Sequence, residues 1–164
     1  MRFAPAAAAL SLLLATSASV ISAGPGTPEP RAAMLIAQGQ ASLEAGEVQA
    51  AIDAFEAALV VDPGYTPIFI NLAEAARRDG LQGKAIRYYR EALARDPGFL
   101  AAISGEGEAL VEKGALEKAL RNLARLESLC GETCPETLAL KASITAGPPE
   151  RLAAEASEDE TATN

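Results

Sequence analysis

The chain has 164 residues, 49% of them hydrophobic but only 4% aromatic, and its 14 basic and 22 acidic residues give a net charge of −8. This length suits one ordinary domain, and a composition rich in Ala, Leu, Glu and Arg favours helices over a β-sandwich or barrel. The acidic balance excludes a general nucleic-acid binder, which needs surplus cations to neutralise phosphates, and the absence of His removes the usual general base and the commonest metal ligand.

Met1 and Arg2 precede an uncharged segment centred on Leu10, Leu12, Leu13 and Leu14, followed by small residues through Ala23. That order is the layout of a secretory signal peptide over 1–23, with cleavage expected after Ala23 and Ala18 as the competing site. The alternative is an uncleaved anchor, since the apolar stretch approaches the ~20 residues that span a bilayer. Pro5 and the Ser/Thr-rich end of the segment argue against it. Cleavage removes Arg2 and leaves 13 basic and 22 acidic residues, net −9, in a product expected to be periplasmic or secreted. Residues 24–31, rich in Gly and Pro, read as a linker.

Three segments, 32–65, 66–99 and 100–133, then align without a gap. Their eighth position holds Gly39, Ala73 and Gly107; the fifteenth Gly46, Gly80 and Gly114; the twentieth Ala51, Ala85 and Ala119; the twenty-fourth Phe55, Tyr89 and Leu123. A repeat of this length is one supersecondary unit. Each copy contains two amphipathic stretches around its fifteenth-position glycine, where a left-handed C-cap ends the first helix. Asp62-Pro63-Gly64 and Asp96-Pro97-Gly98 close the second helices, because Pro disfavours helix at the residue before it. Thr66-Pro67 reads as an N-cap and first helical residue. One such pair cannot bury its own apolar face, so stability must come from stacking. Residues 135–146, with Leu138, Leu140 and Ile144, read as a helix capping the open end, and the acidic 147–164 as a disordered tail.

The period, the small residues at eight and twenty, the bulky residue at twenty-four and Pro63 and Pro97 at thirty-two resemble the tetratricopeptide repeat. The resemblance implies an all-α, right-handed α-solenoid of three helix pairs plus the capping helix. It also implies a concave groove lined by the first helix of each pair. The groove residues it assigns are Ile36, Gln40 and Glu44 from the first repeat, Ile70, Asn71, Glu74, Arg77 and Arg78 from the second, and Glu108 and Glu112 from the third. Leu43, Ser104 and Val111 fall at further lining positions. Arg77 and Arg78 could hold a carboxylate, or simply pair with Glu74 or Asp79 on their own helix. The basic and Asn set with which some members grip a chaperone's C-terminal carboxylate is absent: Asn71 matches, whereas Ile36, Gln40, Ala101 and Gly105 do not.

Cys130 and Cys134 sit where the third repeat should close. In an exported chain they are expected to oxidise and staple the capping helix to the last repeat. A thiol–disulfide helper is the alternative, against which stand the C-x-x-x-C spacing and the lack of an adjacent His or Lys; two thiols without His make a poor metal site. No phosphate-binding loop or nucleophile-turn motif occurs, and acidic pairs such as Glu106/Glu108 show no sign of burial in the sequence. The expectation is an exported, non-catalytic interaction module without metal or cofactor, docking a peptide or helix of another protein, with an oligomerising structural subunit as a further alternative.

Overall fold

The computed structural model describes residues 26–148. The expected signal peptide and most of the acidic tail lie outside them. Among the described residues there are seven helices and no strand: α1 (Pro30–Glu44), α2 (Val48–Val61), α3 (Ile68–Arg78), α4 (Gln82–Arg95), α5 (Leu100–Glu112), α6 (Leu116–Cys130) and α7 (Pro135–Ala146). They pair as α1/α2, α3/α4 and α5/α6. Each pair packs on the next, and α7 closes against α5 and α6. The result is a right-handed α-solenoid of three helix pairs with a C-terminal capping helix.

The turn within each pair is fixed by one glycine. Gly46, Gly80 and Gly114 have φ of +79°, +74° and +77°, the left-handed region that other residues adopt only under strain. Each turn forms the same two bonds. Gly46 N–H donates to the Leu43 carbonyl at 3.1 Å, and the next N–H, of Glu47, to Ser42 at 2.8 Å. Gly80/Leu81 and Gly114/Ala115 repeat this pairing, which satisfies carbonyls orphaned at the helix end.

Packing explains the small residues. Phe55, Ile68 and Leu72 are fully buried between the first and second pairs, and Tyr89, Ala102 and Val111 between the second and third. Leu140 of α7 is also fully buried, against Ile103 and Leu126. A Cβ on Gly107 would stand 2.6 Å from Leu140 Cδ1, and one on Gly39 would overlap the Phe55 ring, so both crossings require glycine. Burying a Leu or Phe side chain in such seams contributes roughly 1.5–3 kcal/mol each.

Two helix starts differ from expectation. α1 begins at Pro30, inside the expected linker, because Pro is preset for the first helical turn. α3 begins at Ile68, with Pro67 rather than Thr66 in the N-cap position and no side-chain cap. The Thr66 backbone is used instead: Phe69 N–H donates to its carbonyl at 3.1 Å.

Candidate functional site

The first helices α1, α3 and α5, with α7 beyond them, lie side by side along one wall of the stack. In α3, Ile68, Leu72 and Ala75 turn to the first pair while Phe69, Ala73 and Ala76 turn to α4. What remains for the wall is Ile70, Glu74 and Arg77, at i, i+4 and i+7 on one helical face. α5 offers Ala101, Ser104, Glu108 and Glu112 by the same spacing. Between them lies a cavity of about 260 Å³, bordered by Ile70, Glu74, Arg77, Tyr89, Ser104 and Glu108 and closed on the α7 side by Pro135, Glu136 and Ala139. A second cavity, of about 390 Å³, is lined by Glu74, Arg77, Arg78 and Glu112.

Arg77 organises this wall. Its Nη1 is 2.9 Å from Glu108 Oε2, its Nη2 is 2.5 Å from Glu112 Oε1, and its Nε lies 3.1 and 3.2 Å from the two Glu112 oxygens. This fork ties α3 to α5 across the groove floor. Its side chain is 20% exposed, against 23% and 25% for the two glutamates, so the network is far less screened than a surface pair. Burial works against the charged guanidinium, but the hydrogen bond and charge of Glu112 outweigh it and hold the Arg77 pKa above its ordinary value. Beneath the network, burial pushes the Tyr89 phenol up to about 12, with the Arg77 charge opposing. Ser104 Oγ lies 3.1 Å from both Glu108 Oε1 and the Glu136 carbonyl, so its single proton serves one of them and links α5 to α7.

The expected site residues divide into three groups. Ile70, Glu74, Arg77, Arg78, Glu108 and Glu112 come together around the two cavities. Gln40 and Glu44 are exposed on α1 and Asn71 is half-buried on α3, and none of the three borders either cavity. Ile36 is only 9% exposed and belongs to the first core cluster with Leu43; Val111 is likewise core, at 1%. These lining positions are occupied by side chains long enough to reach the seam with the neighbouring helix.

The local pairing considered for the arginines does not occur. Arg77 reaches Glu108 and Glu112 one repeat away, and Arg78 Nη1 donates to the Leu43 carbonyl at the end of α1, 3.0 Å away. Nor is Glu106 solvated. It is 7% exposed, accepting from Arg90 Nε at 2.7 Å and Asn122 Nδ2 at 3.1 Å. Glu136 and Tyr89 are lining residues that sequence reasoning did not assign. Glu136 stands on the capping helix, outside the three repeats from which the groove residues were assigned. Tyr89 carries no sequence signal beyond its core position.

Cys130 and Cys134 place their sulfurs 1.99 Å apart with a Cα separation of 5.9 Å. Thr137 Oγ1 donates to the Gly131 carbonyl at 2.9 Å and lies 3.2 Å from Cys134 Sγ. Together with Glu136, the cysteines bring three potential ligand atoms within 4.8 Å.

No protein-family model matches the sequence, and no curated relative matches it. Solved structures do resemble it. The first TPR of Spaghetti (RPAP3), bound to the HSP90 peptide SRMEEVD, matches with a TM-score of 0.62 and 24% identity over 71% of this chain and 92% of that one. The Sgt2 TPR domain from Aspergillus fumigatus matches with a TM-score of 0.64 and 23% identity over 80% and 85%. The type III secretion chaperone SycD of Yersinia enterocolitica, in complex with a peptide of the translocator YopD, gives 0.60 and 22% over 70% and 86%. At these identities the likeness concerns architecture, and it agrees with the glycine turns and the three stacked pairs. The chain has the tetratricopeptide-repeat fold.

Proposed function

We propose that this chain is an exported, non-catalytic interaction module of a bacterial cell-envelope assembly, and that it docks a peptide or helix of another protein in the groove of its first helices. The observation that carries this reading is the wall built around Arg77. Ile70 offers apolar surface beside charges already fixed in place, so a ligand meets a preorganised site. Two neighbours of the same fold hold peptides, one from HSP90 and one from YopD, which supports the same use of the surface here.

The charges indicate what kind of segment fits. Glu74, Glu108, Glu112 and Glu136 border the cavities against Arg77 and Arg78, and Arg77 is spent on Glu108 and Glu112. Glu74 is exposed and makes no ion pair among the described residues. The partner segment therefore carries a Lys or Arg for Glu74 and an apolar side chain for Ile70, with apolar burial giving affinity and charge giving register. Fluorescence anisotropy with short peptides of differing charge, alongside recovery of partners from an envelope extract, tests the reading. Ile70→Asp and Glu74→Lys should each weaken binding about tenfold, or roughly 1.4 kcal/mol; unchanged binding by both variants refutes it.

The same reading takes Cys130 and Cys134 as a bond formed after export that fastens α7 to α6. Chain-entropy reasoning for a loop of ~5 residues gives about 2 kcal/mol. Denaturant unfolding with and without a thiol reductant should differ by that amount, and a zero difference removes the staple. One observation favours a second reading, self-association through the last repeat. Leu120 is 41% exposed, although Ile86 and Ile52, one and two repeats earlier at the same position, are 6% and 3% exposed. Sedimentation of the purified chain decides it: a monomer at all concentrations removes this reading.

A further inference from the structure

Charge is distributed unevenly among the helices. α4 and α6 carry seven basic and three acidic residues, net +4, whereas the other described residues carry five basic and fourteen acidic, net −9. Several of the α4 and α6 cations have partners: Arg90 pairs with Glu106 at 2.7 Å, Arg95 with Glu91 at 3.4 Å, and Arg125 donates to the Pro97 carbonyl. Lys84, Arg87, Lys118 and Arg121 make no ion pair among the described residues. Lys84 and Arg87 border a cleft of about 390 Å³, also lined by Phe69, Tyr88 and Glu91, the last already paired with Arg95, with Lys84 Nζ 5.7 Å from the Tyr88 ring centroid. Phe69 itself is 5% exposed, packed against α4. This cleft lies on α4 and shares only Phe69 with α3, so it is separate from the groove.

We propose that the cations of α4 and α6 that make no ion pair among the described residues, with this cleft on α4, bind the chain's own acidic segment, residues 150–160. The segment holds Glu150, Glu155, Glu158, Asp159 and Glu160 against Arg151, net −4, opposite in sign to the α4/α6 face and equal to it in size. An acidic chain with one cationic face concentrates anions there, and a tethered segment does so at high effective concentration.

The segment can reach. Ile144, near the end of α7, packs against the cluster that contains Ala109 and Val111, and so does Ala115 in the turn before α6. Lys113 Nζ, from that same turn, would lie 3.9 Å from a Cβ on Gly83 at the start of α4. The route from Pro148 to Lys84 thus takes two helix-to-helix steps, α7 to α5 and α5 to α4, about 20 Å at the usual 8–10 Å between helix axes. The stretch from Pro148 to Glu160, fully extended, spans about 40 Å.

Zero-length carbodiimide coupling of the purified full chain, read by mass spectrometry, tests the proposal, because it joins only carboxylates and amines in contact. The expected products link Lys84 and Lys118 to Glu155, Glu158, Asp159 and Glu160 in preference to Lys141, although Lys141 is far closer along the chain. Arg87→Gln with Arg121→Gln, both exposed changes, should lower the Lys84 and Lys118 links several-fold at unchanged far-UV circular dichroism, and high salt should lower them in the unaltered chain. Links dominated by Lys141 and Lys113 would show a tethered segment without a site. Links between isotopically distinct copies would show binding to a second chain. Either result overturns the proposal, and neither depends on whether the groove binds peptides.

Discussion

Within α5, Gly105 stands against the tip of the Tyr89 ring. A Cβ added there would overlap the ring carbons Cζ and Cε1 and lie 2.6 Å from Oη, and Tyr89 is only 1% exposed, so the ring must leave its packed position and shift toward the cavity it borders. Two opposing effects set the outcome of Gly105→Ala. Alanine is the better helix former by ~0.8–1.0 kcal/mol, while overpacking a well-filled seam costs ~1–3 kcal/mol. The expected net result is destabilisation of about 1 kcal/mol. In a Tyr89→Leu background the ring tip is gone, the clash disappears, and the same Gly105→Ala change should stabilise by about 1 kcal/mol. The sign reverses, with a coupling of roughly 1–3 kcal/mol, as contacting residues show. Urea unfolding followed by far-UV circular dichroism on the four proteins of the cycle measures it. If Gly105→Ala stabilises both backgrounds equally, the second and third pairs do not pack through this contact and the account of the seam is wrong.

Two further outcomes follow from other parts of the stack. Gly80→Ala places a side chain at φ +74° with no heavy atom within 4 Å, so its cost is backbone strain alone, about 1–2 kcal/mol; a thermal or urea transition unchanged by the substitution would contradict the left-handed turn. The Tyr89 phenol, raised to about 12 by burial against 10.0 in the unfolded chain, stabilises the fold fully below pH 10. This contribution is lost as pH rises through the interval from 10 to 12, because only the unfolded chain ionises there. Tyr89→Phe should flatten that segment of the stability–pH curve, and an identical slope in both proteins would count against a buried phenol.

The architecture was legible in the sequence because its determinants are local and repeated. A glycine every 34 residues ends a helix in the left-handed region, an alanine five residues later admits a close crossing, and Pro63 and Pro97 stop the second helices. None of these depends on knowing which helix packs where. The site was legible only in part, for the opposite reason. Spacing alone could place Glu74 and Arg77 on one face, but not that Arg77 would be consumed by Glu108 and Glu112 on α5. Glu106 shows the limit most clearly. On its own helix it reads as one of a solvated acidic pair with Glu108. α5, however, packs against α3, α4, α6 and α7 at once, so almost every residue from Ala102 to Val111 is buried, and Glu106 is satisfied by Arg90 and Asn122 from two different helices. Ile36 fails the groove assignment similarly: a long aliphatic chain at a lining position turns into the seam, where it gains more burial than at the groove surface.

The central claim, a groove of first helices that receives a protein segment, is tested most directly by mapping backbone amide shifts of the isotopically labelled chain as a basic peptide is added. The account predicts that the perturbed amides cluster at Ile70, Glu74, Arg77, Glu108 and Glu112, with the outer positions of α2, α4 and α6 unmoved. Saturable shifts confined to those outer helices, with the Arg77 wall silent, would contradict it.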